Sequence, residues 1–355
     1  MSTVRYAPRA SKDHLSSQLI KLPPAYGALR MPVTHRRAVL AGALAIAVGL
    51  TGAACGGEEE TAAPGDLETS RIRLGTMTVA DTAPIQLAID EGLFEEEGLE
   101  VRLQTLQGGA EAIPKLKSGA LDISFGNYVS LITASVKDPG FKPKIVAEGF
   151  QSGPKTHTLM VREDSPYHSI DDLKGKKIGV NTKQNISTLM IQAAGEPRGA
   201  SFSDDDFVEV PPPNMEQALK SESVEAVQAI EPFGTQMQQS IGARMVVDLS
   251  SGATADFPIA GYASTEKFVK ENPKTVAAFQ RALQKASGRC AERKVVQETL
   301  PKYAKITSEV ASTMSYGTYT STLSAERLQR VPDVMQQFGY IDSKLDINTL
   351  IAKTA

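Results

Sequence analysis

From Arg71 onward the chain alternates short period-two runs with longer runs of helical period. Ile72 and Leu74 sit between charged neighbours and predict a strand over 71–76. The apolar residues of "APIQLAID" recur at helical spacing and predict a helix over 83–91. "GLFEEEGLEV" reads as the exit from that helix, with Gly92 as its cap and a return strand after it. Leu99, Val101 and Leu103 alternate and predict the second strand, over 99–105. The same signals predict strands over 121–125, 144–149, 156–162, 176–181, 206–210, 224–230, 243–248 and 258–264. Helices are predicted over 110–118, 127–136, 187–195, 214–220, 232–240, 273–295, 307–320, 324–338 and 346–353. Pro114 falls inside the first of these, so that helix begins later or kinks there. From Glu266 on the chain reads as almost wholly helical. Strands alternating with helices predict α/β layers.

The segment "DSPYHSIDDLKGKKIGVNT" starts a fresh strand–helix series. This predicts two lobes, one of 71–162 plus 259–355 and the other of 163–258 with its hinge segments. The crossings are expected near 163–170 and 250–258, and two crossings make a hinge. A chain of 355 residues with 41% hydrophobic content can bury a core of that size.

The N-terminal region follows another pattern. Arg36 and Arg37 precede an uninterrupted apolar run from Ala38 to Leu50, and small residues lead to Cys55. The run is shorter than the roughly 20 residues a bilayer-spanning helix needs, so it reads as an export signal over 31–54. The signal resembles that of a bacterial lipoprotein, in which Cys55 would be lipidated and anchor the chain at the outer face of the cytoplasmic membrane. Gly52 departs from that pattern, and an ordinary secretory signal with an incidental Cys55 is the alternative. Residues 1–30 hold no apolar run, and Met31 is an alternative start. Residues 55–70 are rich in Gly, Glu and small polar residues and read as a flexible tether. Cys290, the second of two cysteines, continues a helical apolar stripe and is expected to be a buried core residue.

Formal charge is −3 overall, but residues 1–54 hold 7 Lys+Arg and one Asp+Glu. The remaining 31 basic and 40 acidic residues leave the rest at −9. That balance, with no basic stripe, argues against nucleic acid as a partner. No Walker loop, GxSxG or HExxH occurs, and His157 and His168 belong to no metal spacing. No enzyme, metal or cofactor is therefore expected. Four places put small or polar residues between a strand and a helix: "VADTAP", "QGGAEAI", "FGNYVSL" and "NTKQNISTLM". In parallel α/β layers such loops converge at the carboxyl ends of strands, where ligands bind. Each alone is equally an ordinary cap or turn. Glu231 in "QAIEPFGTQM" follows a strand, and either stabilises the next helix or accepts a hydrogen bond from a ligand. Phe233, Tyr128, Phe257 and Tyr262 are candidate pocket walls or core residues.

"DTAPIQLAIDEGLFEEEGLEVRLQTLQGGAEAIPKLKSGALDISFGN" resembles the opening of solute-binding proteins of ABC importers. The group it resembles handles sulfonates, taurine, nitrate and thiamine-precursor pyrimidines. "SIDDLKGKKIGV", "AIEPF", "FVKENPKTVAAFQRAL" and "RLQRVPDVMQQFGYIDSKLD" carry the likeness through about 70–353. It implies a two-lobed type II periplasmic-binding fold, each lobe a mixed sheet flanked by helices, with two hinge crossovers and a helical C-terminal tail. It also implies a monomer that closes on a small solute and docks on a membrane permease with a cytoplasmic ATPase. Carried onto this chain, the family's ligand loops fall on Asp81 and Thr82, Gly108 and Gly109, and Asn127 and Tyr128. They continue at Thr182, Gln184, Asn185 and Ser187, then Glu231, Phe233 and Phe257. No arginine lies in these loops, so a strong anion would need Arg162, Lys183 or Arg244 brought in by closure. That shifts the reading toward amine or amide donors, such as a taurine-like zwitterion or a pyrimidine. A sensor domain that feeds no importer is the alternative. A pyrimidine-synthesis-like enzyme is disfavoured, because those relatives use a His and Cys cluster.

Overall fold

The computed structural model describes residues 66–353. The expected signal, Cys55 and most of the tether lie outside the described residues. Residues 68–70, expected to belong to the tether, are tied down. The Glu68 carboxylate accepts hydrogen bonds from the backbone N–H groups of Lys274 and Thr275 and from the Thr275 hydroxyl.

Strand β1 (Arg71–Thr76) buries Ile72 and Leu74 and exposes Arg71 and Arg73, as its alternation requires. A 3-10 turn over Ala80–Thr82 leads into α1 (Ala83–Asp90). Gly92 then takes a left-handed conformation, as expected, but the chain makes one more helical turn, α2 (Leu93–Glu96), before returning. Burial explains that turn, because Phe94 inside it stacks on Phe279 at 5.6 Å between ring centres. β2 (Glu100–Thr105), α3 (Ala112–Lys117), β3 (Ile123–Asn127), α4 (Tyr128–Lys137) and β4 (Pro143–Gln151) complete the first series. Pro114 is accommodated because α3 begins at Ala112, which places the proline in its first turn.

The second series holds β5 (His157–Val161), β6 (Ile178–Val180), α5 (Ile186–Gly195), β7 (Phe207–Glu209), α6 (Met215–Lys220), β8 (Ala226–Ile230), α7 (Phe233–Ile241) and β9 (Arg244–Asp248). The chain then returns through β10 (Pro258–Thr265), α8 (Glu266–Glu271), α9 (Pro273–Arg289), α10 (Arg293–Tyr303), α11 (Ser308–Thr313), β11 (Thr318–Tyr319) and α12 (Ala325–Gln337).

Two mixed sheets result. The first has the order β11-β4-β10-β3-β1-β2 and the second β7-β6-β8-β5-β9. In each, three parallel strands lie in the order second, first, third, with the first strand (β1 or β6) in the middle. An antiparallel strand follows the third, β10 beside β3 and β5 beside β8.

The first crossing lies earlier than the 163–170 expected from the sequence. β5 pairs with β8 and β9 in the second sheet, so the chain leaves the first sheet after Gln151. "HTLMV" is buried along its whole length and fits either sheet, and the true break is the Gly153-Pro154 turn. The two crossings run side by side. Ser152 N donates to Phe257 O at 2.9 Å, Phe257 N to Ser152 Oγ at 2.9 Å, and Leu249 N to His157 O at 2.9 Å.

The tail is less helical than expected. Helix 273–295 is broken, with Cys290 as C-cap of α9 and α10 starting at Arg293. Helix 307–320 ends at Thr313, because the Gly317 backbone lies against β4, where a Cβ would come 2.3 Å from Gln151 O. That approach lets Thr318–Tyr319 pair with β4. Helix 346–353 shrinks to a 3-10 turn over Ile347–Thr349, and Ile351 bridges to Ile145. Cys290 is buried, and burial pushes its thiol up to about 12. No helix among the described residues is long and apolar enough to cross a membrane.

Candidate functional site

The loops after β1 and β2 and the end of α4 meet the loops after β6 and β8 across the space between the sheets. Ala80 N, after β1, donates to Glu231 O, after β8, at 3.1 Å. Asn181 Nδ2, after β6, donates to Gln107 O, after β2, at 3.2 Å. Lys137 Nζ, at the end of α4, donates to Gln184 Oε1 at 2.8 Å. Gly108 is needed for this approach, because a Cβ there would stand 2.7 Å from Asn181 Oδ1.

Between the lobes lies a cavity of about 450 Å³. Thr78, Thr105, Gln107, Ala304 and Lys305 line it from the first lobe, and Pro212, Pro213, Glu216, Phe233, Gln236 and Met237 from the second. Of the residues singled out from the sequence, only Phe233 lines it.

The others stand back from it, closing strand-end loops, capping helices or packing in the core. Thr82 Oγ1 donates to Met77 O at 2.8 Å and Val79 O at 3.0 Å, which closes its own loop. Asn127 caps α4, accepting from Ser130 N at 2.8 Å, and Gly109 packs against it. Asn185 caps α5, accepting from Ser187 N at 2.9 Å. Its Nδ2 is buried and has no acceptor among the described residues. Asn185→Ala is expected to cost about 1 kcal/mol, read by chemical denaturation. Thr182 is half-buried in the same loop, and Ser187 is buried. Gln184, in a left-handed conformation, also donates to Asp204 Oδ2.

Three of the four candidate aromatic walls belong to the core instead. Tyr128 packs against β10, where any Cβ on Gly261 would meet its hydroxyl. Tyr262 is fully buried beside Phe125. Phe257 is fully buried at the second crossing, with the Arg330 guanidinium 5.6 Å from its ring centre.

Both acidic candidates are buried. The Glu231 carboxylate is occupied by protein donors: Thr235 Oγ1 at 2.9 Å, Thr235 N at 3.2 Å and, from the first lobe, Ser315 N at 3.2 Å. This favours the capping role left open by the sequence and adds a link between lobes. Burial raises its pKa, and these donors oppose the rise. Asp81 is 6% exposed, and burial pushes its carboxyl up to about 7. His157, at the first crossing, is pulled down to about 4 by burial and contacts Thr156 Oγ1 at 3.2 Å.

The three cations expected to swing in are committed elsewhere. Arg162 pairs with Asp164 and Glu222, Lys183 Nζ donates to Asp204 O, and Arg244 donates to Ser165 O and Tyr167 O. The sequence reading missed Asn181, Thr78, Gln107, Gln236 and Lys305. The first four lie in or beside loops already suspect, whereas Lys305 follows an unforeseen helix. No group of three or more His, Cys, Asp or Glu among the described residues could hold a metal ion.

Residues 79–293 match the family model described as NMT1/THI5 like. YtlA of Bacillus subtilis is 25% identical over 207 residues, which cover 58% of this chain. The chain spans about three fifths of that relative's length, 61%. The periplasmic aliphatic sulphonate binding protein SsuA from Escherichia coli superposes with a TM-score of 0.63 at 19% identity. The match covers 80% of this chain and 98% of that one. The periplasmic nitrate-binding protein NrtA from Synechocystis PCC 6803 gives 0.63 at 15% identity, covering 79% and 84%. The architecture is thus the two-lobed periplasmic-binding fold.

Proposed function

The chain belongs to the NMT1/THI5-like family, and from that premise we propose that it is the solute-binding component of an ABC importer. It works outside the cytoplasm, anchored through lipidated Cys55, as a monomer and without a chemical step. It captures a small polar solute, either sulfonate-, taurine- or nitrate-like or a pyrimidine thiamine precursor. The lobes close on the solute and pass it to a permease driven by a cytoplasmic ATPase.

The observation that carries this reading is the cavity between the strand-end loops of two sheets joined by two adjacent crossings. That is where open α/β sheets bind ligands, and paired crossings permit hinge closure. A thermal-shift screen against alkanesulfonates, taurine, nitrate and pyrimidines tests it. A ligand at 100 times its Kd should add about 2.7 kcal/mol of stability. Phe233→Ala should weaken the best ligand by about 1–2 kcal/mol, because it strips the aromatic wall from the cavity. Unchanged affinity in that variant would place the ligand elsewhere.

A further inference from the structure

Resting on the solute-binding reading, we infer that Lys305 is the residue that selects the ligand's charge, and that the cleft prefers an anion with an apolar body over a compact one. Two charged side chains line the cavity, Lys305 and Glu216. Glu216 is engaged, accepting from Ser240 Oγ at 2.9 Å and lying 3.8 Å from Lys220 Nζ. Lys305 has no carboxylate partner among the described residues. The unbalanced charge facing the cavity is therefore positive.

The backbone fixes where Lys305 stands. α10 ends at Tyr303 with Ala304 as its C-cap, and Lys305 follows with φ of 54°. A left-handed residue just past a helix cap is a position where glycine is most comfortable. Glu222 takes the same conformation past the cap of α6, so this is ordinary helix termination, and what distinguishes Lys305 is its place at the cavity. Its side chain lines the cavity from that position.

The rest of the lining sets the body of the ligand. Phe233, Met237, Pro212, Pro213 and Ala304 provide apolar contact, and Thr78, Gln107 and Gln236 supply hydrogen-bonding groups. In about 450 Å³, a compact ion such as nitrate would leave most of the apolar wall uncovered. An anion carrying a short hydrocarbon chain or ring would cover it while its head reaches the ammonium. A lysine is also a point charge without a fixed fork, so it grips a head group with less geometric demand than arginine.

The test is calorimetric titration of the full chain and of Lys305→Gln and Lys305→Gly. The probes are hexanesulfonate, its neutral analogue hexanesulfonamide, and nitrate. Wild type should bind hexanesulfonate at least tenfold more tightly than either other probe, and more weakly as salt is raised. Both variants should lose at least tenfold for hexanesulfonate and change little for the sulfonamide. Lys305→Gly should melt no lower than wild type, which separates lost affinity from lost fold. If wild type binds a probe and neither variant changes the charge preference, the assignment to Lys305 fails while the cleft reading stands. If wild type prefers nitrate, the inferred ligand class is wrong. If it binds none of the three, the anion inference fails, and a hit among neutral or zwitterionic solutes in the broader screen would still uphold the cleft reading.

Discussion

Asp81→Asn raises stability at pH 8 by on the order of 4 kcal/mol and leaves it nearly unchanged at pH 4. The reason is an acid buried with no cationic partner among the described residues. Its folded pKa is about 7 against an ordinary 3.8, because burial penalises the charge. Below pH 4 both folded and unfolded chains hold the proton, so the group contributes no penalty. Between pH 4 and 7 the unfolded chain ionises first, and stability falls as pH rises. Above pH 7 the loss is complete, at about 1.36 kcal/mol for each pH unit separating the two pKa values. The groups that feel this charge are Tyr262, Tyr303 and Tyr319, and burial pushes all of them up, so they remain neutral throughout. Melting the parent and the variant from pH 4 to 8 checks it, with curves that converge in acid and separate in base. Parallel curves would mean that Asp81 ionises normally. A carboxyl that is only about half ionised at pH 7 also weakens the repulsion that an aspartate in this loop would otherwise offer an anion.

Glu231→Ala costs about 2–3 kcal/mol and loosens the lobes. It strands three donors, Thr235 N, Thr235 Oγ1 and Ser315 N, at a site only 7% exposed. Each stranded buried donor costs about 1–3 kcal/mol, and removing a desolvated carboxylate offsets part of the total. Glu231→Gln keeps an acceptor where Thr235 Oγ1 and Ser315 N donate but turns an NH₂ toward Thr235 N, so it costs about 1 kcal/mol. Hydrogen exchange separates the link between lobes from simple capping. The Ser315 amide should lose protection in Glu231→Ala, while amides in β1 and β10 keep theirs. Retained protection at Ser315 would confine Glu231 to its own helix.

Much of the fold was legible because its strands obey simple rules. β1, for example, alternates buried and exposed positions, and each expected strand is present with its ends displaced by at most two residues. Sheet membership was not legible for β5. A run buried on both faces carries no mark of which sheet it joins, and the Gly153-Pro154 crossing looks like any turn. The site was legible as loops but not as side chains. Asn127 and Asn185 stand where a ligand contact and a helix cap look alike, and the backbone took both. Tyr128 turns inward because β10 leaves a gap at Gly261 that its ring fills, a tertiary fact with no local signature. Lys305 was hidden because the expected helix stopped at 295, and α10, which it follows, was not foreseen.

The central claim is that one solute is held by both lobes at once. A crystal structure of the chain with the tightest ligand from the screen tests it most directly. The account predicts one molecule between Thr78 and Gln107 on one side and Phe233 and Gln236 on the other, touching both lobes. A ligand seated on a single lobe, or outside that cavity, would contradict it.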